Sequence, residues 1–444
     1  MADPDVFRAY DIRGIYGETL TDDMARDIGR AFVTFLGCRR VAVGRDMRPH
    51  STPLFDALAR GLTEQGADVI DLGLCSTPMS YFAIGHLDTD GGIMITASHN
   101  PGEWNGFKLS RAGAVPISGD SGIAEIGRII DEGAYAPPAG TTGTVGTFDV
   151  APAYAEMARR FADLDRPLRI AADLANAMGI HEIRALDGLL NIDPLYDTLD
   201  GTFPHHEANP LKTETLADLQ EMVRRGDYAF GIAFDGDADR VGFVDERGEI
   251  VSNDMTAALI ASAILEREPG GTVLYDLRSS RAVREVIEEH GGRPSMCRVG
   301  HAFIKAQMRA EGAVFASELS GHYYFRENLC CESSALAALM VANVLSRSGR
   351  TLSELIAPLQ RYYASGEINS TVEDADAVYR RLRERFPDGR AFELDGLSIE
   401  YDDWWFNVRP SNTEPLVRLN LEARTRELME ERRDEVLAII RGDV

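Results

Sequence analysis

The chain has 444 residues, with 46 Lys and Arg against 71 Asp and Glu, so its formal net charge is −25. This length predicts about three domains of roughly 150 residues, or four small ones. A charge this negative argues against nucleic acid or an anionic membrane as a partner of the general surface, because phosphate groups would be repelled.

The basic residues are strongly biased towards arginine. Lysine occurs only at Lys108, Lys212 and Lys305, which leaves 43 arginines among the 46 basic residues. Many carboxylates with few lysines are typical of a surface that stays hydrated at high salt. The alternative is a GC-rich genome, which would write arginine in place of lysine.

Cysteine usage and the N-terminal segment predict a soluble, cytoplasmic protein. The five cysteines include no C-x-x-C, and the only close pair is the vicinal Cys330–Cys331, so neither a disulfide framework nor a zinc site is supported. Residues 1–5 are acidic and lack the basic and apolar regions of a signal peptide. The longest apolar helical stretches, 255–265 and 335–345, are too short to span a bilayer.

Strand-like runs alternate with amphipathic helical stretches through most of the chain. In chain order the strands are expected at 41–43, 68–71, 93–96, 168–171, 230–234, 272–275 and 313–316. The helices are expected at 24–36, 54–65, 211–225, 255–266 and 281–290. This alternation predicts α/β units with mostly parallel sheets.

Two segments depart from that alternation. Residues 137–147 are rich in Pro, Gly and Thr, which predicts a linker or an exposed hairpin. Beyond residue 364 a helix (375–386) is followed by strands (392–401, 405–408 and 417–422) and a terminal helix (425–440), which predicts an α+β domain with an antiparallel sheet. We therefore expect four domains, at 1–149, 150–251, 252–363 and 364–444.

The first chemical motif is the polar turn TASHNP at residues 96–101, directly after an apolar strand. Ser98 and His99 thus come just past the carboxyl end of that strand, where open α/β sheets bind their ligands. A plain polar turn is the simpler alternative. A hydrolase nucleophile is not indicated, because Ser98 lacks the flanking glycines of G-x-S-x-G.

The second motif is DGDADR at residues 235–240, which follows the strand at 230–234. Asp235, Asp237 and Asp239 can converge on one hard cation, and they would repel one another without it. An EF-hand is excluded because its required glycine is replaced by Arg240 and because the flanks are strands. The motif predicts a Mg²⁺ site, with a solvated acidic turn as the alternative.

Two further motifs combine groups that recognise phosphate and sugar. The run RPSNTEP at 409–415 offers an arginine, hydroxyls, an amide and turn N–H groups, which together suit a phosphate. In ELSGH at 318–322, Glu318 and Ser320 are two residues apart and can face the same way to bind adjacent sugar hydroxyls. Such a pair is also common in a purely structural role.

In this order and spacing, the four motifs resemble the α-D-phosphohexomutase superfamily, most closely its phosphomannomutase/phosphoglucomutase branch. The opening run FRAYDIRG at 7–14 resembles that branch as well. The resemblance spans the whole chain. It implies three related mixed α/β domains followed by a C-terminal α+β, TBP-like domain, arranged around a central cleft.

The resemblance also implies roles for individual residues. Ser98 would carry a phosphoryl group, and the three aspartates would hold one Mg²⁺ together with it. Glu318 and Ser320 would bind sugar hydroxyls. Further residues are implied to line the cleft or to bind the phosphate that is not transferred, namely Tyr10, Arg13, Lys108, Arg240, Arg278, His301, His322, Arg409, Ser411, Asn412 and Thr413. Lys108 and His301 are alternative candidates for moving the proton, and Ser317 stands where the family usually has glycine.

The activity implied is interconversion of hexose 1-phosphate and hexose 6-phosphate, of mannose and/or glucose, with hexose 1,6-bisphosphate as intermediate or activator. A phosphoglucosamine mutase is one alternative, although Leu319 stands where that branch usually has glutamine. A serine-dependent sugar phosphatase and an inactive sugar-phosphate-binding protein are the others. The partners expected are hexose phosphates, with no nucleic acid and no membrane, for a monomer or homodimer.

Overall fold

A computed structural model describes residues 6–8, 10–410 and 416–442 of the chain. Four sheets follow one another along these residues, each with helices packed against it. No helix in the described ranges is both long enough and apolar enough to cross a membrane. All five cysteines are buried and free.

The first sheet has seven strands. They are β1 (Ile12–Ile15), β2 (Arg40–Arg45), β3 (Asp68–Leu74), β4 (Gly91–Ile95), β5 (Trp104–Arg111), β6 (Val115–Ile117) and β7 (Val145–Thr147), with the helices α1 (Asp22–Leu36), α2 (Ser51–Glu64), α3 (Thr77–His86) and α4 (Ala124–Glu132). Strands β4, β2, β3 and β7 are parallel, whereas β5 is antiparallel to both β1 and β4. The segment at 137–147 is exposed and ends in the parallel edge strand β7, so it does not form a hairpin.

The second sheet has five strands in the order β12-β11-β10-β8-β9. They are β8 (Arg169–Asp173), β9 (Asn191–Leu195), β10 (Phe230–Phe234), β11 (Val241–Asp245) and β12 (Ile250–Val251), with the helices α5 (Ala151–Arg159), α6 (Gly179–Arg184) and α7 (Ala217–Arg225). Helix α7 begins later than the predicted residue 211. The hydroxyl of Thr215 donates to the carbonyls of Asn209 and Lys212, which favours a turn in place of a helical start.

The third sheet also has five strands, in the order β14-β13-β15-β16-β17. They are β13 (Thr272–Asp276), β14 (Arg293–Cys297), β15 (Phe315–Ser317), β16 (Tyr323–Phe325) and β17 (Cys331–Glu332), with the helices α8 (Asn253–Arg267), α9 (Arg281–Glu289), α10 (His301–Glu311), α11 (Ser334–Ser348) and α12 (Leu352–Ile356). Strands β13, β14 and β15 are parallel, and β16 and β17 continue the sheet in antiparallel pairing.

The fourth sheet is antiparallel throughout its described strands. They are β18 (Tyr363–Ala364), β19 (Ile368–Thr371), β20 (Arg390–Phe392), β21 (Leu397–Glu400), β22 (Trp404–Pro410) and β23 (Leu416–Ala423), with the helices α13 (Ala375–Arg385) and α14 (Arg426–Arg441). The single strand predicted at 392–401 is a hairpin, because Gly396 turns the chain with φ of 70°.

These sheets confirm the predicted fold class of three mixed α/β units and a C-terminal α+β unit. The expectation of mostly parallel sheets is corrected, since the first three sheets each carry antiparallel strands at one side. One continuous apolar core joins the second and third sheets and includes Met79 and Tyr81 of α3. The fourth sheet has its own core around Phe406 and Leu419. The domain boundaries remain a prediction.

Candidate active site

Ser98 lies three residues past β4, in a turn where its backbone has a left-handed φ of 52°. Its side chain is buried, and Oγ donates to Asp235 Oδ2 at 2.8 Å. A non-glycine residue in this conformation is held there by its surroundings. The turn therefore presents the serine hydroxyl to the aspartate loop of the second sheet.

Arg48, which the sequence analysis did not identify, forms the frame of the Ser98 turn. Its guanidinium is fully buried, and it donates to the backbone carbonyls of residues 98, 100, 101 and 104 at 2.6–3.0 Å. Arg13 supports the same turn, because Nη1 donates to Asn100 Oδ1 at 2.7 Å while Nε donates to Asp11 Oδ2. Two arginines thus fix the loop through its carbonyl and amide oxygens.

The three aspartates follow β10 in a tight turn. One carboxylate oxygen from each of Asp235, Asp237 and Asp239 lies within 4.8 Å of the others, and all three side chains are buried. Among the described residues, Asp237 Oδ1 and Asp239 Oδ1 accept no hydrogen bond. Buried, unsatisfied carboxylate oxygens are the donors that Mg²⁺ prefers, so these residues fit the ion.

Gly236 lets the two loops meet. A Cβ at this position would lie 2.2 Å from the carbonyl oxygen of Ser98, which no real side chain tolerates. Ala238, between the second and third aspartates, has a left-handed φ of 60°. The spacing of the carboxylates thus depends on a close backbone contact and on a strained turn.

Lys108 supplies positive charge to this group. It lies on β5, and its Nζ is 2.6 Å from Asp237 Oδ2 and 2.5 Å from Asp239 Oδ2. Burial opposes its charge, but the two carboxylates raise the pKa of Lys108, so it carries its proton. Burial and the neighbouring Asp239 and Asp237 raise the pKa of Asp235, which is the acceptor for Ser98.

His99 contacts both the serine and Arg240. Its Nδ1 lies 3.1 Å from Ser98 Oγ and accepts from Arg240 Nη2 at 2.8 Å. The Arg240 charge and burial lower the pKa of His99, so the ring is neutral. Since Nδ1 accepts from the arginine, the serine proton is directed to Asp235.

Glu318 and Ser320 are brought together through His322. His322 Nδ1 is 2.8 Å from Ser320 Oγ and 3.1 Å from Glu318 Oε2, and its Nε2 is 3.4 Å from Asp239 Oδ1. Burial disfavours the charged ring, but Asp239 and Glu318 raise the pKa of His322 to about 9. This histidine joins Glu318 and Ser320 to the aspartates. Ser317, at the position usually held by glycine, is buried at the end of β15.

Tyr10 and His301 approach the site from the first and third sheets. Their ring centroids are 5.9 Å apart, and Gly300 N donates to Glu318 Oε1 at 2.9 Å. His301 begins α10, and its Nδ1 has no hydrogen-bond partner within the part of the chain that the structure describes. Burial and the charges of Lys305 and Lys108 lower the pKa of His301 well below its usual range.

Arg409 is connected to the site by Glu367, a carboxylate that contacts both Arg409 and Arg278 and that the sequence analysis did not identify. Glu367 Oε2 accepts from Arg409 Nη2 at 2.7 Å and lies 3.8 Å from Arg278 Nη1. Glu367 Oε1 is 3.1 Å from Arg418 Nη1. Three guanidinium groups around one carboxylate leave a positive field suited to a phosphate. The predicted partners Ser411, Asn412 and Thr413 lie outside the described residues.

The sequence analysis also did not identify the buried ion pair of Lys305 and Glu332 as part of the site. Lys305 Nζ is 2.6 Å from Glu332 Oε2 and 3.7 Å from the centroid of the Tyr81 ring. Glu332 also approaches Asp239 and His322 within 4.8 Å. The rarity of lysine was an available signal, since two of only three lysines lie buried at this site.

Comparison with known proteins agrees with this arrangement. The sequence matches the family descriptions "Phosphoglucomutase/phosphomannomutase, alpha/beta/alpha domain" I, II and III over residues 4–136, 152–248 and 252–362, and the C-terminal domain over 367–439. It is 40% identical to an Escherichia coli phosphomannomutase, over 98% of this chain and 99% of that protein. It is 36% identical to a Neisseria gonorrhoeae phosphoglucomutase, over 99% and 97%.

A solved structure shows the same architecture. The crystal structure of a phosphoglucomutase/phosphomannomutase family protein from Burkholderia thailandensis superimposes with a TM-score of 0.91 at 33% identity, covering 99% of this chain and 98% of that one. Domain order and overall fold therefore agree over nearly the full length. The chain belongs to the phosphoglucomutase/phosphomannomutase family.

Proposed function

We propose that this chain is a phosphohexomutase that interconverts the 1-phosphate and the 6-phosphate of mannose and/or glucose. The observation that carries the proposal is the hydrogen bond of 2.8 Å from Ser98 Oγ to Asp235, inside a group of three buried aspartates. A serine beside a cation site is suited to carry a phosphoryl group whose charge the cation offsets. The names of the Escherichia coli and Neisseria gonorrhoeae relatives support the sugar assignment.

In the proposed reaction, phosphorylated Ser98 donates its phosphoryl group to the free hydroxyl of a hexose phosphate. The bond between serine Oγ and phosphorus breaks, and a bond from phosphorus to the sugar oxygen forms. The product is a bound 1,6-bisphosphate, which turns around and returns its other phosphate to Ser98. Lys108 contacts Asp237, and Arg240 Nε lies 3.6 Å from Asp235, the partner of the serine, so both would offset charge on the transferred oxygens.

The sugar hydroxyl must lose a proton in this step. Lys108 is held in its protonated form by two aspartates, so it is the better donor in this state. Among the described residues His301 Nδ1 accepts no hydrogen bond and makes none, so it is open to accept the sugar proton. We therefore assign removal of the sugar proton to His301, while protonated Lys108 would donate a proton to the Ser98 oxygen as its bond to phosphorus breaks; the two groups exchange these roles when the phosphoryl group returns.

Asp235, Asp237 and Asp239 would hold Mg²⁺ together with the phosphoryl group on Ser98. When bound, the ion neutralises charge that develops on the phosphoryl oxygens. Its binding would also compete with Lys108 for the oxygens of Asp237 and Asp239. The chain's own part is to fix three carboxylates in a buried loop and to align the serine with them.

The phosphate that is not transferred would bind at Arg409, on the fourth sheet. Glu318, Ser320 and His322 lie between the aspartates and this arginine along a continuous series of contacts. A hexose 1,6-bisphosphate has two phosphates separated by one sugar, which matches a metal-binding end at the aspartates, a polar middle and an arginine end at Arg409. This order favours a mutase over a protein that only binds a monophosphate.

Rates on mannose 1-phosphate, glucose 1-phosphate and glucosamine 1-phosphate, measured side by side with Mg²⁺, test the proposal. We expect 6-phosphates of mannose and glucose as products, with glucosamine 1-phosphate the slowest. Preference for glucosamine 1-phosphate would favour the phosphoglucosamine mutase. Release of inorganic phosphate faster than isomer would favour the phosphatase and contradict the mutase.

A further inference from the structure

Glu182 is a buried carboxyl group that lies where three helices meet, one from each of the first three sheets. It lies on α6 of the second sheet and has no exposed surface. Its Oε1 accepts from Ser76 Oγ at 2.5 Å, and its Oε2 accepts from Tyr154 OH at 3.1 Å and from the backbone N–H of Ala335 at 2.9 Å. Ser76 is the N-cap of α3, and Ala335 lies in the first turn of α11.

The residues next to Ser76 and Ala335 both bind the aspartate loop, residues 235–240. Thr77, next to Ser76, donates from Oγ1 to Asp237 Oδ2 at 2.6 Å and from its backbone N–H to the Asp237 carbonyl at 3.0 Å. Ser334, next to Ala335, donates from Oγ to the carbonyl of Ala238 at 2.8 Å. The starts of α3 and α11 therefore both hydrogen-bond to the aspartate loop, from two sides.

The helix that carries Glu182 contacts the same loop. The backbone N–H of Met178, just before α6, donates to the carbonyl of Gly236 at 3.2 Å. Three helix starts thus converge on residues 236–238, and the carboxyl of Glu182 connects two of them to the third. A helix start presents unsatisfied N–H groups and positive potential, so an acidic group is favoured there.

We infer that Glu182 is a positioning residue for the aspartate loop. By hydrogen-bonding the starts of α3 and α11 to α6, it sets the separation of the aspartate carboxylates. This inference rests on the proposed Mg²⁺ site. The left-handed backbone of Ala238 needs support from its surroundings, and Thr77 and Ser334 supply it on either side. Mg²⁺ requires near-ideal octahedral geometry, so small shifts of the carboxylates weaken its binding.

Calorimetric titration with Mg²⁺ tests the inference independently of turnover. At pH 8, where the carboxyl is ionised, the variant Glu182→Gln keeps the size of the side chain but replaces one acceptor oxygen by a donor, so one of the two helix starts loses its acceptor. We expect the Kd for Mg²⁺ to rise about tenfold, as for other outer residues around metal sites. Ser76→Ala, which leaves Asp237 untouched, should raise Kd in the same direction and serves if the first variant does not fold.

Glu422→Gln is the matched control. Glu422 is also a buried carboxyl at a helix start, but it accepts from Arg281 N and Trp405 Nε1, between the third and fourth sheets. It should lower the melting temperature and leave the Kd for Mg²⁺ unchanged. Folded Glu182→Gln and Ser76→Ala proteins with wild-type Kd would overturn the inference. Wild-type protein that binds no Mg²⁺ would instead overturn the proposed metal site, and the inference with it.

Discussion

Gly236 provides the sharpest test at the level of one residue, because the Ser98 turn and the aspartate loop touch there through backbone atoms. An alanine Cβ would lie 2.2 Å from the Ser98 carbonyl oxygen, so the loops must separate. A displacement near 1 Å at a reacting centre costs about 100-fold in rate. We therefore expect Gly236→Ala to lower kcat about 100-fold in the mutase assay.

Gly146→Ala is the control for that variant. Gly146 lies in the exposed strand β7, and a Cβ there would meet nothing within 4 Å. Its kcat should equal that of the wild type. Wild-type kcat in Gly236→Ala would show that the close approach of the two loops is not needed for activity.

Glu182 gives a prediction for stability against pH. Burial raises its pKa from 4.5 to about 7, so the native state binds this proton more tightly than the unfolded state does. The resulting stabilisation is complete below pH 4.5 and is lost as the pH rises to about 7; it amounts to at most about 3 kcal/mol. Since the amide in Glu182→Gln cannot titrate, the melting temperature of wild type relative to this variant should be higher at pH 5 than at pH 8. An equal difference at both values would contradict the assignment.

Individual site residues were predictable only where they belong to a local motif. Ser98, the three aspartates and Glu318 follow strands in short polar runs that the sequence displays directly. Thr77 and Glu182 carry no such signal, because their partners are 160 and 106 residues away in the chain. Glu367 is an isolated acid in sequence, and only the fold places three arginines around it.

At the scale of elements, the turn at 98–104 depends on one arginine. Arg48 reaches four carbonyl oxygens through two separate nitrogens, a geometry that the single ammonium of lysine cannot reproduce. In Arg48→Lys, each buried carbonyl that loses its hydrogen-bond donor should destabilise the protein by about 1–3 kcal/mol. We expect Arg48→Lys to lower both the melting temperature and kcat.

Arg45→Lys separates this effect from a general intolerance of lysine. Arg45 lies three residues away and makes an ion pair with Asp71 at 2.6 Å, which a lysine can maintain. Its melting temperature should change little. Similar losses in both variants would refute the special role of Arg48 in the turn.

Elements with a clear hydrophobic period were predicted well, and those defined by turns were not. Strand β10 has the predicted bounds, and α1 begins two residues before the predicted start, at a point where Thr21 caps the helix. The hairpin β20–β21 was missed although Asp395-Gly396 is a turn dipeptide, because the predicted strand was extended across it; Gly396 makes the reversal with its left-handed backbone. Short edge strands such as β18 and β19 bury too few side chains to show a pattern.

At the scale of the molecule, a net charge of −25 surrounds a site that gathers five basic side chains around its buried carboxylates. These five basic side chains bind either the Ser98 turn, the aspartates or the shared carboxylate Glu367, namely Arg13, Lys108, Arg240, Arg278 and Arg409. Most carboxylates, in contrast, lie on the outside. Of the three lysines, only Lys212 is exposed. The outer surface is therefore acidic and almost free of lysine, and it surrounds the buried residues of the candidate active site.

The account depends on Ser98 as the carrier of the phosphoryl group. The most direct test incubates the protein with glucose 1,6-bisphosphate and Mg²⁺ and then measures peptide masses. We predict one added phosphoryl group on the peptide containing Ser98, lost again when hexose monophosphate is supplied, with no adduct and no mutase turnover in Ser98→Ala. A wild-type protein that turns over without any phosphoryl group on Ser98, or an active Ser98→Ala variant, would contradict the account.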